Sequence, residues 1–532
     1  MILTFLGADH EVTGSCHYIE VGEKKAIIDC GMEQGKDIYV NQELPVMAGE
    51  IDYIFLTHAH IDHSGLIPLM VKRGFKGEVF ATKATCQLCN IMLRDSAHIQ
   101  EFEAQWKSRK AKRAGREAME PIYTMEDAVR ACDLMVPLEY NTDVKICNEI
   151  KVKYVDAGHL LGSASIEMTL TEENVSKKII FSGDIGNIDK PIIKDPVSME
   201  GADYVLIEST YGDRLHGERP DYVGELARIL NETFARGGNV VIPSFAVGRT
   251  QEMLYFIRQI KKDNMVKNFP NFEVYVDSPL AVEATSIFNG NVLECFDEET
   301  MELIRNGINP LRFEGLKLSV TSNDSIAINE NTKPKVILSA SGMCEAGRIR
   351  HHLKHNLWRE NNTILFVGFQ TLGTLGRAIL EGAKTVKLFG EEIAVNAHIE
   401  NLKGISGHGD QKQLIKWLQA MKQRPEKVFV VHGEDTVCDI FAELLNKEYG
   451  YQTYAPYSGT QINLATGELV KEGIPIRISQ KAKQRRATGL YENLVNAGHR
   501  LMAVIKRNEG GTNKDIAKFT SQIQSLCDKW DR

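Results

Sequence analysis

The run His58-Ala59-His60-Ile61-Asp62-His63 constrains this chain more than any other feature of its sequence. A strand-like segment, 51–57, precedes the run, and a helix-like segment, 65–70, follows it. A turn at a strand end can direct all four polar side chains into one cavity, which a straight strand or helix cannot do. Imidazoles with a carboxylate suit Zn²⁺, and Mn²⁺ or Fe²⁺ are the alternatives. The run therefore predicts a metal centre rather than a solvated polar turn.

Length and composition limit the classes of protein that remain. The 532 residues predict two or three compact units, and 43% apolar with 25% charged residues is typical of a soluble globular protein. The sequence has no apolar run of the ~18 residues that a membrane span needs, and no basic segment precedes its first predicted strand. We therefore predict a cytoplasmic protein without a membrane partner. The net charge of −8 argues against tight, non-specific coating of nucleic acid.

A pair of metal ions needs more ligands than the run provides, and three further residues occupy similar places. His159 follows the predicted strand 151–155, Asp184 follows 178–181, and His432 follows 428–431. Each residue alone is more often a structural polar group at a turn, but their repeated position near a glycine at a strand end favours a shared site. Asp29 also follows a strand, and we predict that it orients a histidine ring or the loop.

Two more polar residues are candidates for proton transfer. Glu208 follows the predicted strand 204–207, and His408 lies in Ser406-Gly407-His408-Gly409-Asp410. A carboxylate that is hydrogen-bonded to an imidazole fixes its tautomer and raises its pKa, which suits a general acid. From the residues alone, two unrelated surface polar groups remain an equal alternative.

The sequence pattern changes between about residues 210 and 395. Strand-like segments such as 239–242 and 336–338 alternate with helix-like segments such as 220–236 and 250–261. This alternation predicts a doubly wound unit with a parallel sheet. Gly/Ser-rich turns at 243–249, 339–343 and 368–373 follow its strands, and loops at the carboxyl ends of such strands are where ligands bind.

These residues together resemble a known family. The order Asp29, the run at 58–63, His159 and Asp184 is similar to the four motifs of the metallo-β-lactamase fold. The segments 208–212, 406–408 and 431–434 look like motifs A, B and C of the β-CASP group of nucleases. The segments 57–68, 158–164 and 181–187 are very like bacterial and archaeal relatives of the endonuclease subunit of the cleavage and polyadenylation specificity factor. The resemblance covers about residues 1–465.

The resemblance implies an α/β fold with three parts: a metallo-β-lactamase αββα sandwich, an inserted β-CASP domain with a parallel sheet, and a helical C-terminal tail. We therefore predict that residues 1–209 and 396–469 form the sandwich. The inserted domain is predicted at 210–395 and the C-terminal extension at 470–532.

The resemblance also implies a role for each site residue. One ion is held by His58, His60 and His159, the other by Asp62, His63 and His432, and Asp184 bridges the two. Glu208 and His408 act together as a general acid. We predict two Zn²⁺ ions as cofactors, with Mn²⁺ or Fe²⁺ as alternatives, and the catalytic residues are predicted as Asp62, Asp184, Glu208 and His408.

The reaction that the resemblance implies is hydrolysis of phosphodiester bonds in single-stranded RNA by a metal-activated water. His432 in motif C resembles the RNA-cleaving members of the group. The enzyme is predicted to be an endonuclease, and an added 5′ exonuclease activity stays open, as do the native metal and the physiological RNA. Two other functions also stay open: a small-molecule ester or thioester hydrolase on the same fold, and an inactive RNA-processing scaffold subunit.

RNA phosphates need polar contacts near the metal centre. The residues that we predict for this role lie in or beside the Gly/Ser-rich turns: Ser244, Arg249, Ser341, Arg348 and Arg377. For the arginines, the alternative is an ordinary place on a helix surface.

The predicted C-terminal extension is basic. Residues 477–507 carry eight Lys or Arg and one acidic residue, Glu492. Apolar residues recur on one face of a first predicted helix, and Thr512 with Asp515 marks the start of a second. Because these apolar faces must be buried somewhere, packing on the chain or formation of a homodimer is favoured over a free RNA-binding arm.

Overall fold

The computed structural model describes residues 1–34, 38–113, 118–218, 220–371, 373–402, 406–478, 489–510 and 512–530. Parts of two predicted segments lie outside these ranges: Leu372 of the turn at 368–373, and residues 479–488 of the basic tail. Within the described ranges we find no helix with the length and apolar character that a bilayer crossing requires.

The described part of residues 1–208 begins with short strands, as the sequence predicts. The strands are β1 (Ile2–Gly7), β2 (Cys16–Val21), β3 (Lys24–Ile28), β4 (Tyr53–Phe55), β5 (Glu78–Thr82), β6 (Met135–Leu138), β7 (Val144–Lys145), β8 (Ile150–Asp156), β9 (Ala164–Glu172), β10 (Val175–Phe181) and β11 (Tyr204–Glu208). The helices are α1 (Ile61–Ser64), α2 (Ile67–Lys72), α3 (Lys83–Arg113) and α4 (Met125–Asp133), with a 3₁₀ turn at Ala48–Glu50.

Helices and strands alternate in the next part of the chain. The helices are α5 (Tyr222–Ala235), α6 (Arg249–Lys262), α7 (Pro279–Gly290), α8 (Val292–Cys295), α9 (Glu298–Arg305), α10 (Ser322–Glu330), α11 (Ile349–Asn356) and α12 (Leu375–Leu380). The strands are β12 (Val240–Pro243), β13 (Glu273–Asp277), β14 (Leu316–Ser319), β15 (Lys335–Ser339), β16 (Thr363–Phe366), β17 (Thr385–Leu388), β18 (Glu391–Ala394) and β19 (His398–Asn401).

The last part of the chain returns to the first two sheets and ends in two helices. Its elements are α13 (Gln411–Gln419), β20 (Lys427–Val431), α14 (Asp435–Lys447), β21 (Thr453–Tyr454), β22 (Gln461–Asn463), β23 (Glu468–Lys471), α15 (Gly489–Arg507) and α16 (Asn513–Trp530).

Two sheets pack face to face and form the αββα sandwich. Their strand orders are β23-β22-β1-β2-β3-β4-β5-β6 and β21-β20-β11-β10-β9-β8-β7. Both contribute to the apolar layer between them, for example through Phe5 of β1 and Phe429 of β20. Helices α13 and α14 cover the outer face of the second sheet, and α2, α3 and α4 cover that of the first. Strands β11 and β20 are buried almost throughout, which explains their continuous apolar sequences.

The six strands β12 to β16 and β19 form the predicted parallel sheet. Its order is β14-β13-β15-β12-β16-β19, and each neighbouring pair is parallel. From β12 the chain continues to β13 on one side of β12, and from β15 it later crosses to β16 on the other side of β12. The carboxyl ends of β15, β12 and β16 therefore stand at a topological switch point, where a ligand crevice is expected.

The last strand of this sheet comes after the predicted boundary at residue 395. Strand β19 pairs with β16 from Thr363↔His398 to Phe366↔Asn401. A strand that is hydrogen-bonded into the parallel sheet belongs to the inserted domain. We therefore propose that the insertion ends after Asn401 rather than at 395.

The described part of the predicted tail begins with residues 470–478, which continue from β23 and hydrogen-bond to residues 38 and 40. Two helices follow, and they differ in their contacts. At the end of α15, Lys506 pairs with Glu50, and Arg507 donates a hydrogen bond to the carbonyl oxygen of Gly74 at 3.4 Å. Thr512 caps α16 by accepting a hydrogen bond from the backbone N–H of Asp515. None of the described side chains of α16 is buried.

Candidate metal centre

The predicted ligands meet at one edge of the sandwich. Parallel pairing of β10, β11 and β20 places the ends of these strands side by side. His58 and His60 lie after β4, Asp62 and His63 in α1, His159 after β8, Asp184 after β10 and His432 after β20. His432 has a positive φ of 52°, which is uncommon for a residue other than glycine and is typical of functional sites.

The first group of donor atoms belongs to three imidazoles and Asp184. His60 Nδ1 lies 3.0 Å from His58 Nε2 and 3.2 Å from His159 Nε2. Asp184 Oδ2 completes the group at 3.5 Å from His58 Nε2 and 3.4 Å from His159 Nε2. The structure therefore brings together the four residues predicted around one ion.

The second group lies around the other oxygen of the same carboxylate. His63 Nε2 and His432 Nε2 are 3.1 Å apart, and they lie 3.2 Å and 3.5 Å from Asp184 Oδ1. Asp62 Oδ2 is 4.0 Å from His432 Nε2. Each oxygen of Asp184 thus faces a different group of imidazoles, which is the arrangement of a bridging ligand.

The protein holds the outer ring nitrogen of four of these histidines. His63 Nδ1 lies 2.7 Å from Asp29 Oδ2, and His159 Nδ1 lies 3.2 Å from the carbonyl oxygen of Gly407. Threonine hydroxyls contact the Nδ1 atoms of the other two, with Thr57 beside His58 at 3.1 Å and Thr210 beside His432 at 3.2 Å. These contacts direct the Nε2 lone pairs to the centre. Asp29 also accepts hydrogen bonds from Thr57, so it contacts both a histidine ring and the loop.

The electrostatics of the first group favour a cation between neutral imidazoles. Burial lowers the pKa of His58, His60 and His159, which keeps these rings unprotonated. Burial alone would raise the pKa of Asp184, but the surrounding imidazoles, His432 first, hold it well below its ordinary value. Burial lowers the pKa of His63, yet Asp184 and Asp29 together raise it well above its usual range.

The donor atoms fit divalent metal. Nitrogens bound to one tetrahedral ion at about 2.0–2.1 Å lie roughly 3.3 Å apart, close to the 3.0–3.5 Å spacings within the first group. The buried Asp184 Oδ1 has no well-aligned hydrogen-bond donor among the described residues. A buried carboxylate oxygen without a donor is costly unless a cation binds it.

Glu208 and His408 lie beside the first group. His408 Nδ1 is 3.1 Å from Glu208 Oε2 and 3.9 Å from Asp184 Oδ2. The backbone N–H of Ile185 donates to Glu208 Oε1, which fixes the carboxylate. Burial lowers the pKa of His408, but Glu208 and Asp184 outweigh it and raise this pKa to about 9. The ring is therefore held as a proton donor at neutral pH.

The residues predicted for phosphate lie along the carboxyl edge of the parallel sheet, but their surroundings differ. Ser244 is 1% exposed and its hydroxyl contacts Thr250 and Phe245, so burial removes it from the predicted contacts. Ser341 is half-buried and its hydroxyl accepts a hydrogen bond from the backbone of Ala346. Carboxylates pair with all three arginines: Glu252 with Arg249, Asp277 with Arg348, and Glu381 with Arg377.

Lys190 is a site residue that the sequence pattern did not indicate. Its Nζ donates to the carbonyl oxygen of His159 at 2.6 Å and lies 3.8 Å from Glu252 in the first turn of α6. Burial lowers the pKa of Lys190 to about 8. This side chain therefore joins the loop of His159 to the parallel-sheet unit. Thr57 and Thr210 were missed too, although both stand next to or within a recognised motif.

Family models match three parts of the chain. They are described as "Metallo-beta-lactamase superfamily" at residues 11–90, "Beta-Casp domain" at 250–379, and "Zn-dependent metallo-hydrolase RNA specificity domain" at 392–456. "Ribonuclease TTHA0252" of Thermus thermophilus is 35% identical over 471 residues, which cover 88% of this chain and 99% of that protein. The chain belongs to the β-CASP group of the metallo-β-lactamase superfamily. This β-CASP protein is therefore a hydrolase that uses divalent metal.

Two further relatives of the β-CASP protein come from Methanocaldococcus jannaschii. "Transcription termination factor FttA" is 32% identical over 465 residues, covering 85% of this chain and 70% of that protein. "RNase J-like protein" is 29% identical over 464 residues, covering 86% and 99%.

Proposed function

We propose that the β-CASP protein is a metal-dependent ribonuclease that hydrolyses phosphodiester bonds of single-stranded RNA. The observation that carries this proposal is Asp184, with one oxygen toward each imidazole group and the Glu208–His408 pair beside it. The name "Ribonuclease TTHA0252" of a relative and the family description "RNA specificity domain" support RNA as the substrate.

We propose two ions, one in each group of donors. His58, His60 and His159 would hold one, Asp62, His63 and His432 the other, and Asp184 both. Imidazole and carboxylate donors favour Zn²⁺, with Mn²⁺ or Fe²⁺ as the alternatives. Bound there, the ions would supply a water of lowered pKa and would offset charge on the phosphoryl oxygens.

His408 supplies the proton that the leaving group needs. Glu208 holds Nδ1, so Nε2 is the ring nitrogen that can face the substrate. When the water oxygen bonds to phosphorus and the P–O3′ bond breaks, His408 Nε2–H donates its proton to the departing 3′ oxygen. The products are a 3′-hydroxyl and a 5′-phosphate.

Arg249 is the arginine that is best connected to this chemistry. It pairs with Glu252, which also meets Lys190 next to His159. We retain Arg249, Arg348, Arg377 and Ser341 as proposed phosphate contacts. A phosphate must compete with the carboxylate partner of each arginine, so the salt dependence of RNA affinity in Arg→Ala variants tests them. Unchanged affinity and salt dependence would remove an arginine from the set.

The decisive experiment is cleavage of 5′-labelled single-stranded RNA by wild type and Asp184→Ala. We expect cleavage by wild type that a chelator abolishes and added metal restores, and none by the variant. Asp143→Ala is the matched control, because Asp143 is an exposed carboxylate that pairs with Lys151. Absence of metal-dependent cleavage of any RNA by wild type would refute the proposal.

A circular RNA separates the two modes of cleavage. We propose endonuclease activity, with added 5′ exonuclease activity as the open alternative. An endonuclease linearises a circle, whereas an enzyme that requires a 5′ end leaves it intact. If the circular RNA stays intact while the linear RNA of the same sequence is digested, endonuclease activity is contradicted.

A further inference from the structure

We propose that Phe245 and Phe369 form a stacking platform for RNA bases at the carboxyl edge of the parallel sheet. This inference rests on the proposed ribonuclease function and adds the part of the substrate that the metal centre does not bind. We call the two side chains the aromatic rim. Phe245 follows β12 and Phe369 follows β16, and these strands are parallel neighbours.

The rings of the aromatic rim are open to solvent. Phe245 is 44% exposed and Phe369 is 64% exposed. Three other exposed aromatic rings carry a cation: Lys110 lies over Trp106, Arg359 over Trp358 and Arg350 over Phe389. Among the described residues, neither ring of the rim has an aromatic or cationic partner of this kind. Both rings therefore have a face available for a planar ligand.

The loops beneath the rim are fixed by a buried glutamine. Gln370 Nε2 donates to the carbonyl oxygens of Gly342 at 3.0 Å and Gly368 at 3.2 Å, so it joins two neighbouring loops. A β-carbon on Gly342 would lie 3.1 Å from Cδ2 of Phe245, which is closer than ordinary van der Waals contact, so the ring packs tightly against this glycine. The rim is thus preorganised, which reduces the entropy lost when a ligand stacks on it.

The loop that carries Phe245 also contacts a metal-ligand loop. A β-carbon on Gly248 would lie 3.2 Å from Cδ1 of Leu160, the residue after His159. Lys190 strengthens the same junction by joining the His159 carbonyl to Glu252. A strand that is cleaved at the metal centre and continues past His159 therefore reaches the loop of Phe245.

Three arginines near the rim favour a nucleic acid over an apolar peptide, and a phosphate would compete with the carboxylate partner of each. Arg249 begins the helix that follows Phe245, and Arg377 lies in the helix that follows Phe369. Arg348 lies after β15, the strand on the other side of β12. Aromatic faces interleaved with cations are characteristic of surfaces that bind single strands, because bases stack while phosphates meet the cations. Stacking of this kind tolerates any base sequence.

The test compares Phe245→Ala, Phe369→Ala and the double variant with Phe102→Ala. Phe102 is a matched control because it is 65% exposed on α3 and lies 17 residues from Thr85, whose hydroxyl contacts Gly162. That spacing is about 25 Å along a helix. We expect KM for single-stranded RNA to rise roughly five- to 150-fold for each lost stack, with a smaller change in kcat. Phe245→Trp, which keeps an aromatic face, should keep KM close to the wild-type value.

An RNA that lacks bases at successive riboses supplies the second arm. For wild type, removal of the bases should raise KM about as much as the double substitution raises KM for base-bearing RNA. For the double variant, removal of the bases should raise KM little further. A KM in the rim variants within twofold of Phe102→Ala would overturn the proposal, as would equal wild-type KM for base-bearing and abasic RNA. Failure of wild type to cleave the base-bearing RNA would instead refute the proposed function, and the inference with it.

Discussion

Single residues at the centre have different tasks although most of them are histidines. His58, His63, His159 and His432 direct Nε2 inward because the protein contacts their Nδ1 atoms. His408 differs, because Glu208, whose carboxylate lies within 4.8 Å of the Asp184 carboxylate, holds its Nδ1. The four proposed ligands approach Asp184 with Nε2, whereas the His408 nitrogen nearest to Asp184 is Nδ1, the atom that Glu208 holds.

Removing the proposed acid should impair cleavage according to the leaving group. We expect His408→Ala to lower kcat for RNA about 10²- to 10⁴-fold, because the alkoxide then leaves without a proton. A p-nitrophenyl phosphodiester has an acidic leaving group and should lose far less. Steady-state kinetics on both substrates measure the effect. Equal losses would indicate a positioning role for His408 instead.

Asp277 in the parallel sheet should stabilise the fold in a pH-dependent way. Burial raises its pKa, but hydrogen bonds from His352, Ser325, Ser319 and Arg348 hold it well below its ordinary value. The stabilisation is complete above the unfolded pKa of about 3.9 and falls by about 1.4 kcal/mol for each pH unit below it, until the folded pKa is reached.

Asp277→Asn tests this network. We expect a loss of about 3 kcal/mol in the free energy of unfolding at pH 6, and a smaller difference from wild type at pH 3. Urea titrations at both pH values give these differences, with Asp143→Asn as the exposed control. A difference that is independent of pH would show that the carboxylate charge is not what stabilises the sheet.

At the scale of elements, one contact joins the loop after β8 to helix α6. Lys190 links the His159 carbonyl to Glu252, and its side chain is only 10% exposed. The apolar core continues across the same junction, since Leu160 and Met253 belong to one cluster. The position of the proposed metal ligand His159 therefore depends on how the parallel-sheet unit packs against the sandwich.

Breaking this contact should affect both stability and activity. We expect Lys190→Met to lower the free energy of unfolding by about 1.5–3 kcal/mol, because a buried carbonyl loses a charged donor. It should also lower kcat/KM for RNA. Urea titration and kinetics measure these effects, and Lys422→Met, which removes a pair in which the lysine side chain is 84% exposed, is the control. If Lys190→Met has the same free energy of unfolding and kcat/KM as Lys422→Met, the proposed role of Lys190 is excluded.

For the whole molecule, the open question is what covers α16. Its apolar residues Ile516, Leu526 and Trp530 are exposed, whereas α15 contacts the sandwich through Lys506 and Arg507. Exposed apolar residues repeated along an amphipathic helix are typical of an interface. We therefore keep the homodimer as a proposal in which α16 meets a second copy.

Deleting residues 508–532 tests the assembly. We expect the full chain to sediment as a dimer and the shortened chain as a monomer, with metal-dependent activity per site retained because the side-chain hydrogen bonds of the described part of α16 are local to that helix. Analytical ultracentrifugation over a range of concentrations measures the mass. A full chain that stays monomeric at all concentrations would contradict the dimer.

The sequence by itself determined the sandwich, the parallel sheet and the residues that gather at the metal centre. This was possible because the ligands lie in short motifs that follow strands, and a motif of that kind is local. Burial of whole strands, as in β11 and β20, also leaves a pattern in consecutive residues.

Only the tertiary structure decided which groups meet across these local patterns. It placed one oxygen of Asp184 toward each imidazole group, buried Ser244, paired the arginines with carboxylates and brought Lys190 to His159. It also placed β19 in the inserted sheet. Phe245 and Phe369, which follow the neighbouring strands β12 and β16, stay exposed. Such contacts join residues that are distant in the chain, and local sequence carries no signal of which partner packing will select.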